Sequence, residues 1–437
     1  MRDGDTIVAL SSGSLPSGVA VIRVSGPAAG VLLHEMIGRL PPPRRLTLAA
    51  VVLDGETIDH GLVAWLPGPH SFTGEDCVEL QLHGSPAVVR GVLRIVGARP
   101  DFRLAEAGEF TRRAFENGRL NLTEVEGLGD LVAAETEGQR RQALARADGQ
   151  LSRTIDRWRS DLLEARAEME AHLDFSDEGD VGAILPERID RLLDGLEASM
   201  RQALGRLEHG RIVREGFRVA LAGAPNAGKS SLLNALSQSD LAIVSEEPGT
   251  TRDVREVALD LGGQLVILVD MAGLRATESK AEAEGIRRAR SEIGRADLVL
   301  WLVAPDTSDV PIGEMPPAPV WRVATKADLA LAREDRRGEF SVSVVSGEGL
   351  GHLLGRMETA AIAGASDGEP ALLSRERDRI AVGTAAAAVA DSRRELDRLE
   401  VAAEALRGAS QALSRLTGAI DAEAVLDRLF SSFCIGK

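Results

Sequence analysis

The chain has 437 residues, with 67 acidic against 51 basic side chains and a formal charge of −16. That length allows about three domains, each with its own core, and the two cysteines, Cys77 and Cys434, exclude a disulfide framework and form no metal-ligand pair. No apolar run approaches the roughly 20 residues of a membrane span, and the N-terminus lacks a basic-then-apolar signal segment, so a cytoplasmic protein with no membrane partner is expected.

Residues 1–117 alternate short apolar strands, Ile7–Leu10, Gly18–Val24 and Cys77–Leu82, with turns and helical stretches, which predicts an α+β domain. Over 118–210 alanine, leucine, glutamate and arginine dominate, and Trp158, Leu162 and Leu163 recur at helix spacing. Residues 211–365 read as an α/β domain with strands Phe217–Ala222, Gln264–Val269 and Val320–Ala324 and a helix over Ser231–Leu236. Ala363–Pro370 reads as a linker, after which 366–437 resumes the helical pattern through Ala371–Leu429. The expected class is therefore multidomain α/β. Two helical blocks around a nucleotide domain have an economical explanation as one bundle carrying an insertion, with two unrelated hairpins as the alternative.

Gly223-Ala-Pro-Asn-Ala-Gly-Lys229-Ser230 fits G-x-x-x-x-G-K-[ST] between a strand and a helix. In such a loop Asn226, Ala227, Gly228, Lys229, Ser230 and Ser231 surround phosphate: backbone N–H groups turn inward, Lys229 reaches the β/γ oxygens, and Ser230 ligates Mg²⁺. Asp270-Met-Ala-Gly273 ends the second strand and supplies a carboxylate near Mg²⁺, with Gly273 sensing a γ-phosphate. Thr325-Lys326-Ala-Asp328 follows the third strand and resembles the guanine-reading [NT]-K-x-D motif, in which the carboxylate accepts from guanine N1–H and the exocyclic amine. Adenine offers no such donor pair, so the nucleotide is GTP. Ser343-Val344 resembles the last motif of the set.

Pro225-Asn226-Ala-Gly-Lys-Ser, Gly249-Thr-Thr-Arg-Asp253, Asp270-x-Ala-Gly-Leu-Arg275 and the terminal Phe433-Cys-Ile-Gly-Lys437 together resemble the tRNA modification GTPase family MnmE (TrmE). The N-terminal third agrees through Asp5-Thr-Ile7, Ile22-Arg-Val-Ser-Gly26, Ser71-Phe-Thr-Gly-Glu-Asp76, His83-Gly84 and Gly108-Glu-Phe-Thr-Arg-Arg-Ala-Phe115. The resemblance spans essentially the whole chain. It implies an N-terminal folate-binding-like and dimerisation domain, a helical bundle, and a Ras-like P-loop GTPase domain inserted in that bundle.

Leu274 stands where Ras-like GTPases carry the glutamine that orients the attacking water, and a leucine cannot do so. The resemblance implies replacements. Asn226, Ser245, Glu247 and Thr250 match the positions that hold K⁺, a cation that sits where an arginine finger's guanidinium would. Glu282 matches the family's general base or water-positioning acid, with Lys229 the other residue expected to be catalytic, and Thr251 matches the switch threonine that joins Ser230 on Mg²⁺. Arg23, Glu79, Arg119 and Lys437 match the pocket for a tetrahydrofolate one-carbon derivative, with Cys434 in the tail facing it.

The family works as a homodimer with an FAD-dependent partner of the GidA/MnmG kind, in a heterotetramer or larger complex. The activity implied is K⁺-dependent GTP hydrolysis coupled to installing a carboxymethylaminomethyl group on C5 of wobble uridine in tRNA. A ribosome-assembly GTPase and a regulatory GTP-binding switch are the alternatives, and tetrahydrofolate binding separates them from it. The charge of −16 sits awkwardly with RNA: either a local basic face exists or, as the family implies, the partner carries the RNA contact. Leu15-Pro-Ser-Gly18 departs from the family's Gly-Arg-Gly-Gly loop, Arg119 replaces lysine, Met271 replaces threonine, and Thr325 replaces asparagine.

Overall fold

The structure, a computed structural model, describes residues 4–174, 184–243, 256–270, 294–307, 317–329, 340–365, 368–420, 426, 429–430, 433 and 436. The chain divides into two compact units, Met1–Gly129 with Leu413–Lys437, and Asp130–Ala412.

The first unit is built on strands β1 (Thr6–Leu10), β2 (Ser17–Ser25), β3 (Thr47–Leu53), β4 (Glu56–Leu66), β5 (Cys77–Gly84) and β6 (Phe102–Leu104), in the order β3-β4-β5-β2-β1-β6. All pairs are antiparallel except β1 with β6. Strand alternation sends Ala20, Ile22, Val24, Val78, Leu80 and Leu82 to one face, where helices α1 (Ala29–Ile37) and α2 (Pro86–Gly97) cover them. Helix α2 is capped by Ser85, whose hydroxyl accepts from the Ala87 N–H, starts on Pro86, and buries Val89, Val92 and Val96. On the opposite face α3 (Glu109–Glu116) sets Phe110 against Ile7 and Ala9.

Helix α4 (Leu122–Val132) follows, and Leu426 and Phe430 of the C-terminal segment pack on its Leu122 and Val125. Gly108 makes that approach possible. A Cβ there would lie 2.9 Å from the Phe430 carbonyl oxygen. Farther along the tail, the Ser11 hydroxyl donates to the Gly436 carbonyl at 2.7 Å.

The second unit opens with helices α5 (Glu137–Ala147), α6 (Gln150–Asp174), α7 (Ile184–Gly205) and α8 (Leu207–Glu215). Along α6 the buried stripe is Leu151, Ile155, Trp158, Leu162, Ala165 and Met169. Leu163 does not belong to it. It is 64% exposed, because one residue past Leu162 turns about 100° around the helix.

A parallel α/β sheet then interrupts the helices: β7 (Phe217–Gly223), helix α9 (Lys229–Ser237), β8 (Glu256–Leu261), β9 (Gln264–Asp270), β10 (Leu298–Val303), β11 (Val320–Ala324) and β12 (Phe340–Ser341). The order is β12-β11-β10-β7-β9-β8, with only β8 antiparallel to its neighbour. Helix α10 (Leu350–Ala365) backs the sheet and runs through Ala363–Ala365, which the sequence had assigned to the linker. Buried Ala361 and Ala365 hold that last turn, and Gly364 faces Ile212 and Phe217.

Helices α11 (Glu376–Arg394) and α12 (Leu399–Thr417) follow, and α11 packs along α7. The G domain is thus an insertion between helices that contact one another. At the junction, the Gln142 amide donates to the Gly210 and Ala371 carbonyls at 3.1 and 2.7 Å. Arg146 donates to the Leu372 carbonyl at 2.5 Å and to Asp378 at 3.0 Å. Gly210 lies so close to the returning chain that a Cβ would sit 2.0 Å from the Leu373 oxygen. Helix α5 begins with a capping box, Thr136 and Gln139, and its Gly138 N–H donates to Gly263 in the β8–β9 turn at 2.8 Å.

Candidate nucleotide-binding site

The carboxyl ends of β7, β9, β11 and β12 lie at one end of the sheet, the end of a parallel sheet where ligands bind. The loop after β7 is shaped by its backbone. Gly223 has φ 136° and a Cβ there would lie 2.3 Å from the Leu302 oxygen, so no other residue fits. Asn226 (φ 63°) and Gly228 (φ 91°) also adopt left-handed conformations. Helix α9 starts at Gly228 without a side-chain cap, which leaves its first N–H groups directed at the space above the loop.

Lys229 is 7% exposed, and its ammonium donates to the carbonyls of Gly223 and Ala224 at 2.9 and 2.7 Å. The Ser230 hydroxyl donates to Asp270 at 2.6 Å, and Asp270 is 1% exposed. A hydroxyl and a carboxylate oxygen converging beside the phosphate loop are hard donors of the kind Mg²⁺ takes, so these residues fit that ion. Asn226 brings an amide oxygen to the same loop.

Thr325 holds the second half of the site to the first. Its hydroxyl, on a residue 5% exposed, donates to the Ala227 carbonyl at 2.7 Å, so the base-reading loop is tied to the phosphate loop. The Ser343 hydroxyl donates to Asp328 at 2.6 Å while accepting from the N–H groups of Val345 and Ser346. Those bonds fix the Asp328 carboxylate. A cavity of about 220 Å³ opens here, lined by Gly228, Ser231, Thr325, Lys326, Asp328 and Val345 among others. Lys326, at φ 55°, pairs with Asp306 at 2.6 Å and holds that exposed carboxyl below the usual carboxylate range.

Asp306 was not singled out in the sequence. Its signal was its place just after β10, at the same sheet end. A larger cleft of about 700 Å³ lies at the opposite end of the strands, between Arg211, Arg218 and Asp297. Arg211 is already paired there with Asp297 at 2.5 Å, and the cleft has neither phosphate loop nor base-reading carboxylate, so size does not mark the site.

Ser245, Glu247, Thr250, Thr251, Met271, Gly273, Leu274 and Glu282 lie outside the described residues, as do Cys434 and Lys437. The sequence-predicted residues that come together are therefore Asn226, Ala227, Gly228, Lys229, Ser230, Ser231, Asp270, Thr325, Lys326, Asp328 and Ser343.

In the first unit Arg23 and Glu79 face each other across β2 and β5 and pair at 2.9 Å, each side chain 22% exposed. The guanidinium lies over the rings of Phe72 and Phe110, 5.4 and 5.7 Å from their centroids. Phe110 is fully buried, so the groups left partly open here are the Arg23–Glu79 pair and the Phe72 ring. Arg119 is exposed after α3, its stem against Gly74. Beneath this face burial disfavours the Asp5 and Glu109 carboxylates, yet hydrogen bonds from Arg103, with Arg113 adding its charge, hold both below the usual range. Cys77 is buried, with its sulfur 3.1 Å from the Thr73 hydroxyl.

Comparison with known proteins covers the whole chain. Residues 6–119 match the family described as the GTP-binding protein TrmE N-terminus, and residues 122–434 match the MnmE helical domain. A tRNA modification GTPase MnmE of Azorhizobium caulinodans is 49% identical over 442 residues, covering all of both chains. Its namesake in Methylobacterium radiotolerans is 48% identical over 456 residues, again covering all of both. That of Beijerinckia indica is 48% identical over 439 residues, 99% of this chain and 96% of its own.

Proposed function

The chain belongs to the MnmE family of tRNA modification GTPases, and from that premise we propose a K⁺-assisted, dimeric GTP hydrolase that alkylates wobble uridine together with a flavoprotein. It is a GTPase by family, and the observation that carries the finer reading is the P-loop. The phosphate lysine, the Ser230–Asp270 oxygen pair and the Asp328 carboxylate share one end of the sheet, with Asn226 among them at a left-handed φ.

Lys229 leaves its two carbonyls for the β/γ oxygens, which present acceptors of higher charge. Ser230 and Thr251 would hold Mg²⁺, which would supply charge neutralisation on the phosphates, and Asp270 accepts from the Ser230 hydroxyl. Asn226, Ser245, Glu247 and Thr250 hold K⁺, which supplies the positive charge an arginine finger gives other GTPases. Glu282 orients the attacking water in place of the glutamine that Leu274 replaces. Asp328 and Ser343 select guanine, while Gly273 and Thr251 respond to the γ-phosphate.

In the N-terminal domain Arg23, Glu79, Arg119 and Lys437 bind a tetrahydrofolate one-carbon derivative. The product is carboxymethylaminomethyl on C5 of U34, formed with glycine and an FAD-dependent partner in the cytoplasm. Homodimerisation through residues 1–117 is supported by the uncovered part of the sheet, where Leu48 on β3 and Leu62 on β4 pair in register at 73% and 37% exposure.

GTP turnover in buffers matched except for K⁺ or Na⁺ tests this, with Asn226→Ala and Glu282→Ala alongside. The reading predicts strong K⁺ stimulation that both variants abolish. Equal turnover in the two salts would refute the cation assignment and leave a conventional GTPase.

A further inference from the structure

The chain carries a formal charge of −16, yet one surface is strongly basic. Residues 27–53 and 85–100, which include α1, α2 and the loop after α1, hold six arginines and a single carboxylate. The arginines are Arg39, Arg44, Arg45, Arg90, Arg94 and Arg99, and the carboxylate is Glu35, paired with Arg99 at 2.6 Å. Both helices cover the same face of the N-terminal sheet, so their outer sides share one surface. Arg90 and Arg94 lie one helical turn apart on the side of α2 opposite its buried valines. Arg39, Arg44 and Arg45 are exposed on the loop, and none of these five arginines has a carboxylate partner among the described residues.

That condition is unusual in this protein. Elsewhere arginines are mostly tied into ion pairs, as Arg113, Arg146, Arg211 and Arg393 are. Among the described residues Arg90 and Arg44 donate only to the carbonyls of Pro86 and Pro67, and guanidinium groups without a carboxylate partner leave their charge to an external anion. The loop is also stiff. Pro41-Pro42-Pro43 separates Arg39 from Arg44, and Arg44 sits at φ 61° with its N–H donating to the Trp65 carbonyl at 2.8 Å. Fixed φ angles lower the entropy lost when these side chains meet a partner.

We propose that this helical face, with Arg39, Arg44, Arg45, Arg90 and Arg94, docks the phosphate backbone of the tRNA substrate. The proposal rests on the tRNA role given above and adds the surface that meets the RNA. A polyanion suits it because the arginines form a stripe of one sign with no fixed geometry for a single small anion. The remaining acidic surface then repels RNA and limits docking to this face.

The test is equilibrium binding of an unmodified tRNA transcript to the full-length protein between about 50 and 200 mM salt. Wild type is compared with the quadruple variant Arg44→Gln, Arg45→Gln, Arg90→Gln, Arg94→Gln and with the matching quadruple lysine variant. Removing four charges should flatten the slope of log K against log salt by about 3 and weaken binding at low salt by tenfold or more. The lysine variant should keep the wild-type slope. GTP turnover unchanged in both shows that the fold is intact. Wild-type binding with an unaltered slope in the glutamine variant would overturn the face while leaving the tRNA role standing. A wild type with no salt-dependent affinity for tRNA would overturn both. Loss of association with an acidic protein partner, with tRNA affinity retained, would overturn the RNA assignment.

Discussion

Replacing Arg146 by methionine should destabilise the second unit more than any other single truncation in its helices. Arg146 and Asp378 are both fully buried and 3.0 Å apart. The methionine fills most of the volume but leaves the Asp378 carboxylate without its buried counter-charge, held by the N–H groups of Ser374 and Arg375, and removes the donor to the Leu372 carbonyl. Breaking a buried pair from one side costs about 3–5 kcal/mol. With a urea dependence of about 3 kcal/mol per molar, the unfolding midpoint falls by about 1–1.7 M. The double variant Arg146→Met/Asp378→Leu should regain part of that loss, since no buried charge is left unpaired.

The pH dependence gives a second reading of the same pair. Burial opposes the charged form of Asp378, but the Arg146 charge and the Ser374 N–H hold its carboxyl below the ordinary value of 3.8. Its contribution is therefore fully present above that value and lost as pH falls through the lower folded one. Without Arg146 burial dominates and the folded value rises, so the variant gains relative stability as pH drops from 7 toward 4. Urea titrations at both ends of that range measure this. A midpoint unchanged at pH 7, or a double variant less stable than the single one, would refute the reasoning.

Two further outcomes are expected at the nucleotide site. Thr325→Val keeps the shape but leaves the Ala227 carbonyl without its donor, a loss of about 1–3 kcal/mol, which titration with a fluorescent GTP analogue should read as roughly 5- to 150-fold weaker binding. Thr325→Ser should bind as wild type does, and a valine variant of unchanged affinity would remove the proposed tie between the loops. Asp328→Asn exchanges an acceptor pair for a donor and an acceptor, so preference for GTP over xanthosine triphosphate should fall on the order of a thousandfold; competition binding with the two nucleotides checks it.

The nucleotide site was legible because its geometry is local. Glycines at 223 and 228 and the lysine between strand and helix fix the loop wherever the rest of the chain goes. Asp328 and Ser343 were legible for the same reason, each just past a strand end. What short-range pattern could not supply was partnership. Arg23 and Glu79, 56 residues apart, read as separate ligand groups and stand as a pair. Arg146 and Asp378, 232 residues apart, drew no notice although they are the most deeply buried ions in the helices. Helix spacing placed Trp158, Leu162 and Leu163 on one helix, but which of them is buried depends on angle, and Leu163 faces solvent.

The contact of Gly210 with the Leu373 carbonyl joins the point where the polypeptide leaves the helices to the point where it comes back. A gap that short can be spanned by a few residues. A splice across residues 217–365 would shorten the protein by a third, but it would strip α8 of its contacts with α10 and β9 and α5 of its contact with β9. Gln142 and Arg146 hold the returning chain at that junction, and the Gly138 N–H holds the Gly263 carbonyl at a second point, so the inserted domain is anchored to α5 at both.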